Sequence, residues 1–440
     1  MSSVILQSQF TNHNSQSMVD TTLYPMKFLP LFKNKVWGGN KIKSLGFDYS
    51  PLPNCGELWA LSSVEGNESV IANGFLAENT INEALEIYMG ELVGEKNFDH
   101  FGADFPLLIK IIDACDKLSI QVHPDDKLAQ SRGMENGKTE MWYIMETEEG
   151  AEIVDGFAKS VNKEEYQKYL EMGRLEALLH VEHPQSGDVF FIPAGRVHAL
   201  GKGLLLAEIQ QTSDCTYRIY DYNRPDANGQ LRELHTAEAL AAIDFSELKD
   251  GKSHYAYREN CTTRLAECPY FTTNLIPLTK PMRKDFSSLD SFVVYLCVEG
   301  IAAVKTLDNI VPIHAGECVL VPAVADKVEL FSEGPAKLLE VYVDPEQWID
   351  DGRSHVRDFD WMAQFIGSGN PDDYLDDMTI EDLEEIADQY EEEDEDCHCH
   401  DHDCHCGEHH HHHDCGCGCG CDDHHDHDCH CGHGHGDCDC

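Results

Sequence analysis

Basic residues are scarce: 32 Lys and Arg stand against 80 Asp and Glu, a formal charge of -48 at pH 7 over 440 residues. A field of that sign repels polyanions, which excludes nucleic acid and anionic membrane surfaces as partners held by general electrostatics. A small anionic substrate then needs a local basic pocket. Long apolar runs are absent too. No stretch approaches the roughly 18 to 20 residues of a membrane helix, and Met1 to Asp20 is polar and rich in Gln, Asn and Ser, without the apolar core of a secretory leader. A cytoplasmic protein is expected. Cysteine is plentiful, but the seven in the first 345 residues are scattered singly, the usage of a reducing compartment rather than of a disulfide framework.

Charge divides the chain. Residues 346–440 carry 30 Asp/Glu and 2 Lys/Arg, a net of -28, and residues 1–345 carry 50 and 30, a net of -20. Short apolar runs alternate with turn residues from Tyr24 to about Phe105, interrupted by an amphipathic segment from Thr80 to Gly94 that reads as a helix behind a Thr cap. Two alternating runs within Phe105 to Met145 suggest paired strands. Lys163 to Leu179 and Leu234 to Ile243 read as helical pieces, Asp188 to Pro193 and Gly203 to Ile209 as strands, and Phe271 to Tyr342 as a last β-rich block. Many short strands with few helices indicate an antiparallel barrel or sandwich, a mainly β fold.

Two segments carry the chemistry. In Leu118-Ser-Ile-Gln-Val-His-Pro-Asp-Asp126, Gln121 and His123 are two apart on a strand and face the same way. Glu140 follows on the next predicted strand, within Gly137-Lys-Thr-Glu-Met-Trp142. The second segment is Gly187-Asp-Val-Phe-Phe-Ile-Pro-Ala-Gly-Arg-Val-His198. Two imidazoles, a carboxylate and an amide oxygen make a mixed N/O site suited to Zn2+ or another divalent first-row ion, with coordination positions left open.

The spacing of the second segment resembles the second motif of the cupin superfamily, and the first segment resembles a variant of its first motif. Phe105-Pro-Leu-Leu-Ile-Lys110, Gln121-Val-His-Pro, Lys138-Thr-Glu-Met-Trp and Pro193-Ala-Gly-Arg-Val-His-Ala-Leu-Gly together resemble type I mannose-6-phosphate isomerases, the short bacterial form above all. Phe32-Lys-Asn-Lys-Val-Trp-Gly-Gly39, Gly56-Glu-Leu-Trp59, Thr216-Tyr-Arg-Ile-Tyr-Asp-Tyr-Asn-Arg224 and Leu234-His-Thr-Ala-Glu-Ala-Leu support the likeness, which spans about residues 24–345.

The resemblance implies two cupin barrels: a metal-binding catalytic domain over 21–250, behind a flexible start at 1–20, and a degenerate lobe over 251–345. Around Gly316-Glu-Cys-Val-Leu-Val-Pro322 the motif recurs, but Val324 replaces its second glycine and Lys327 its histidine, so one catalytic metal per chain is expected. The resemblance further implies a zinc-dependent aldose-ketose isomerase acting on a sugar phosphate, with Gln121, His123, Glu140 and His198 as ligands. Arg218 is then the first candidate for catalysis or phosphate binding. Ser119, Lys110 and Lys138 follow, although a lysine on a strand is as often simply solvated. Glu208, Asp214 and Lys138 compete for the proton-transfer role.

Residues 371–396 hold 15 acidic and no basic residues, so 346–396 reads as a solvated acidic linker. Residues 397–440 contain 12 Cys and 15 His. Donors that dense are ligands for soft or borderline metal ions, and at about four donors per ion they hold on the order of six. Two other readings stand beside the isomerase. One is an iron cupin oxygenase, disfavoured by Gln121 and the basic residues; the other is a non-enzymatic metal-handling protein.

Overall fold

In a computed structural model, residues 22–225, 229–307 and 309–348 are described. The start at 1–20, the acidic linker beyond 348 and the Cys/His-rich tail lie outside them. The first lobe is built from β2 (Leu31–Lys33), β3 (Glu57–Leu61), β4 (Leu107–Ala114), β5 (Ile120–Val122), β6 (Glu140–Thr147), β7 (Ile153–Phe157), β8 (Leu179–Glu182), β9 (Val189–Ile192), β10 (His198–Leu200), β11 (Leu204–Gln211) and β12 (Tyr217–Tyr220), preceded by β1 (Met26–Lys27). Its two layers are a six-stranded sheet in the order β2-β3-β4-β11-β6-β9 and a five-stranded sheet in the order β12-β5-β10-β7-β8.

The second lobe continues with β13 (Thr263–Cys268), β14 (Phe271–Leu278), β15 (Met282–Asp285), β16 (Val293–Glu299), β17 (Ile301–Thr306), β18 (Asn309–His314), β19 (Cys318–Val321), β20 (Lys327–Ser332) and β21 (Ala336–Tyr342). Its sheets run β1-β19-β16-β21-β14-β13 and β15-β20-β17-β18. The order β13-β14-β21-β16-β19 repeats β3-β4-β11-β6-β9, which is the duplication the sequence suggested. The opening strand β1 is claimed by the second lobe, through Met26↔Leu320 and Lys27↔Val319.

The strand period decides which side chains reach the site. All eight residues of β11 are buried, but in two directions. Leu205, Ala207 and Ile209 join Leu58, Ile109, Leu296, Leu320 and Leu339 in the large core between the two six-stranded sheets. Leu204 and Leu206 point the other way, into a smaller core with Ile112, Trp142 and Ile144 inside the first lobe. Two residues further along that same face stand Glu208 and Gln210. The interior of the lobe is thus aliphatic at one end and polar at the other.

The helices follow local rules. Helix α1 (Ile81–Val93) opens on a capping box, in which the Thr80 hydroxyl accepts the Glu83 N–H and the Glu83 carboxylate accepts the Thr80 N–H. Helices α2 (Glu95–Phe101) and α3 (Asp126–Ser131) are short. Helix α4 (Lys163–Glu171) stops well before Leu179, because Gly173 takes the left-handed conformation at φ 64° and a short 3-10 turn follows. Helix α5 spans Thr236–Ala242. Among the described residues, no helix is long and apolar enough to cross a membrane.

Two sequence expectations change. The runs within Phe105 to Met145 do not pair with each other: β4 and β6 lie on opposite sides of β11, which hydrogen-bonds to both. Both runs show the same alternation, and pairing of each with a strand some 60 or more residues away in the chain leaves no local signal. His123 lies one residue beyond the end of β5, where Pro124 offers no N–H to continue the ladder.

Because Ile109 and Lys110 face opposite cores, they are separable by mutation. Ile109→Ala is expected to cost about 2–5 kcal/mol of stability, read by urea denaturation, while bound metal per chain stays unchanged.

Candidate metal centre

Both layers of the first lobe supply the centre. Gln121 on β5, His198 on β10 and Arg218 on β12 form one cross-strand row, since His198 pairs with Gln121 and Gln121 with Arg218. Directly paired residues share a sheet face. From the opposite layer, Glu140 begins β6 beside Gln210 of β11. His123, Glu140 and His198 converge so that one donor atom of each lies within 4.8 Å of the others, and all three are buried. Among the described residues, no other group of three or more His, Cys, Asp and Glu does this. The second lobe has none: Val324 is exposed and Lys327 opens β20.

The geometry fits a cation. His123 Nδ1 lies 2.8 Å from the Cys215 carbonyl oxygen and His198 Nδ1 2.9 Å from that of Arg196. A carbonyl only accepts, so each Nδ1 carries the hydrogen and each Nε2 lone pair faces inward. His123 Nε2 is 3.5 Å from Glu140 Oε2, and His198 Nε2 is 3.5 Å from Glu140 Oε1. Glu140 Oε1 is fully buried and has no hydrogen-bond partner, a costly state for a carboxylate oxygen that a divalent ion would relieve. The Gln121 amide completes the ring, 3.2 Å from His198 Nε2. Its oxygen and nitrogen exchange by a half-turn in the same volume. Ser119, also buried, donates its hydroxyl to the Gln121 oxygen at 3.3 Å.

Around these donors lies a buried set of charges. Lys110 Nζ donates to Glu208 Oε1 at 2.9 Å and to Gln210 Oε1 at 2.6 Å. Trp142 Nε1 donates to Glu208 Oε2 at 3.1 Å. Lys138 Nζ contacts Glu140 Oε2, lies 3.3 Å from His123 Nε2 and 3.8 Å from Glu208. Neither lysine is a solvated strand lysine: Lys110 and Lys138 are 5% and 4% exposed. Burial by itself would raise the Glu208 carboxyl, but Lys110 and Lys138 hold it down at about 2. Burial and the Glu208 charge push Glu140 upward against the pull of Lys138.

Asp214 is exposed and reaches Lys110 and Lys33 only through its field. Arg218 is half-buried, with one guanidinium donor on the Glu233 carbonyl oxygen at 2.9 Å and its Nε without a partner. Gln210, Trp142 and Trp59 were not picked out from the sequence. The first two stand two positions after Glu208 and Glu140, a spacing that puts them on the same face. Trp59 follows the Lys110 register and carries both Lys33 and Lys110 over its ring.

A family model of the phosphomannose isomerase type I catalytic domain matches residues 26–167. The chain is 36% identical over 307 residues to the mannose-6-phosphate isomerase ManA of Bacillus subtilis, covering 68% of this chain and 94% of that protein. It is 38% identical over 240 residues to the mannose-6-phosphate isomerase of Streptococcus mutans, covering 54% of this chain and 74% of that protein. Among solved structures, the mannose 6-phosphate isomerase from Bacillus subtilis superposes with a TM-score of 0.65 at 33% identity, covering 72% of this chain and 99% of that one. A phosphomannose isomerase from Salmonella typhimurium, with a TM-score of 0.59 at 17% identity, shares the fold.

Burial, reinforced by the Lys138 charge, pushes the His123 imidazole far below its usual 6.5. Burial likewise brings His198 to about 3, against a lift from its hydrogen bond to the Arg196 carbonyl. Between about pH 3 and 6.5 the unfolded chain therefore binds protons at these positions that the folded chain does not, and stability rises with pH across that window. Metal-free protein is expected to lose stability as pH falls from 6.5, and the His198→Gln variant to lose it less steeply, as read by urea denaturation at successive pH values. Equal slopes would overturn the assignment.

Proposed function

The chain belongs to the type I phosphomannose isomerases, and from that premise we propose that it interconverts mannose 6-phosphate and fructose 6-phosphate using one Zn2+ held by Gln121, His123, Glu140 and His198. The observation that carries the metal reading is the Glu140 carboxylate set between two inward-facing Nε2 atoms with one oxygen unpartnered. A divalent ion there supplies Lewis acidity, favouring negative charge on the sugar oxygens as the carbonyl moves between C1 and C2.

The chain's own residues supply the rest. Proton transfer between C1 and C2 needs a group at the metal donors that can take up and return a proton. Glu208, held as a carboxylate by two lysines, is poorly suited to protonation, and Asp214 is exposed. Lys138 is buried and in contact with Glu140 and His123, so it is our choice for the proton carrier. Lys110 acts through Glu208, since two of its donors are committed to Glu208 and Gln210. Arg218, on the strand beside Gln121, is the phosphate partner, with Ser119, which donates to Gln121, as the second candidate. The buried Lys138, in contact with His123 and Glu140, further disfavours the oxygenase reading.

A coupled assay for fructose 6-phosphate tests this. Chelation is expected to abolish turnover and Zn2+ to restore it. Lys138→Met is expected to lower kcat by about 10²- to 10⁴-fold, and Arg218→Ala to raise KM for the sugar phosphate. Full turnover in chelated protein would refute the proposal.

A second reading rests on the 12 Cys and 15 His of residues 397–440, which we take as a metal-holding segment separate from catalysis. Removing them is expected to leave isomerase turnover intact in zinc-replete buffer while bound metal drops by on the order of six ions per chain, at about four donors per ion. Loss of turnover with no change in metal content would invert the two roles.

A further inference from the structure

Lys138 and Glu140 sit at the entrance of β6, on a stretch whose backbone is fastened at three consecutive amides. Gly137 N–H donates to Asp126 Oδ1 at 2.8 Å. Lys138 N–H donates to the Pro124 carbonyl oxygen at 3.0 Å. Thr139 N–H donates to Gln211 Oε1 at 2.8 Å. Two of these three anchors are side chains, and they are tied together, since Gln211 Nε2 donates to Asp126 Oδ1 at 3.0 Å. The other carboxylate oxygen of Asp126 accepts the Tyr270 hydroxyl at 2.8 Å. Tyr270 comes from the turn between β13 and β14, in the second lobe. The close approach depends on a missing side chain: a Cβ on Gly137 would lie 2.6 Å from the Asp125 carbonyl carbon and 2.7 Å from the Asp126 nitrogen.

We propose that Asp126, with Gln211 and Tyr270, is a positioning device for Lys138 and Glu140, through which the second lobe holds the catalytic stretch in register with the metal donors. This rests on the catalytic reading given above. A carboxylate suits the task better than an amide. It accepts from three donors at once, and charge-assisted bonds to N–H and O–H groups are stronger and geometrically stricter than neutral ones. An Asn at 126 can keep its oxygen on Gly137 N–H and Gln211, but its NH2 then meets the Tyr270 hydroxyl, which must turn from donor to acceptor, and the charge that strengthens all three bonds is lost. Thr139, between the two functional residues, also accepts the Ala194 N–H at 3.3 Å through its hydroxyl, which links the same stretch to the loop before His198.

The test uses the full-length, zinc-loaded protein and the variants Asp126→Asn and Tyr270→Phe. Asp126→Asn is expected to lower kcat by on the order of 10- to 100-fold, with KM nearly unchanged, and to release zinc faster to a competing chelator. Tyr270→Phe, which removes only a hydroxyl, is expected to move both readouts in the same direction and by less. In a Lys138→Met background the kcat loss from Asp126→Asn is expected to shrink, because residues acting as a unit are not additive. The proposal is overturned if Asp126→Asn and Tyr270→Phe alter only thermal unfolding, or if the kcat loss keeps its full size in the Lys138→Met background while zinc retention is unchanged. If Lys138→Met alone leaves kcat intact, the catalytic reading fails. The zinc-release readout still decides whether Asp126 positions Glu140.

Discussion

Everything at the centre depends on keeping four charges buried together. Lys110, Lys138, Glu140 and Glu208 are each at most 5% exposed, and an isolated ion at that depth is prohibitively costly. They persist because they alternate in sign around one point: Glu208 bridges Lys110 and Lys138, and Lys138 meets Glu140. Two ammonium and two carboxylate groups leave no net charge, while the imidazoles are kept neutral by burial. A divalent ion would add two positive charges to this balance. That addition would favour an anion bound beside the ion.

The duplicated lobe shows what the same architecture does without metal donors. In the first lobe, Glu208 of β11 is flanked in register by Lys110 of β4 and Trp142 of β6. In the second, Glu340 of β21 is flanked by Asn274 of β14 and Tyr295 of β16, the corresponding strands of the repeated order. Glu340 is 1% exposed and accepts from Asn274 at 3.0 Å, Tyr295 at 2.9 Å and Lys284 at 3.0 Å. Its oxygens are fully partnered within the protein. The difference between the lobes is therefore not the buried glutamate but the imidazoles and the unpartnered oxygen of Glu140.

Much of this was legible in the sequence because it is periodic or motif-bound. The alternation along Leu204 to Gln211 separates core from site, and Gln-Val-His-Pro with Pro-Ala-Gly-Arg-Val-His localises three of the four candidate donors, Gln121, His123 and His198. Burial of the lysines was not legible, since Lys110 and Lys138 have the local surroundings of any strand lysine and only the opposing Glu208, from β11, shows why they are inside. The Asp126–Tyr270 contact spans 144 positions, and no pattern within either segment announces it. What fails to register is pairing at long range.

The composition posed a problem that the fold answers locally. A chain of charge -48 has no general attraction for a sugar phosphate, so specificity must arise from a few cations placed where acids cannot neutralise them all. Arg224 and Arg232 are spent on the Asp221 carboxylate, at 2.9 Å and 2.7 Å, whereas Arg218 donates to a backbone carbonyl, that of Glu233, at 2.9 Å. Burial, together with the charge of Arg232, makes its guanidinium less comfortable as a lone cation, so an anion arriving there relieves repulsion as well as gaining bonds. In such a field an anion is retained by short-range, geometrically strict contacts rather than by steering, and those contacts are least sensitive to salt. The register that sets Arg218 beside Gln121, and Gln121 beside His198, fixes where such contacts can be made relative to the metal donors.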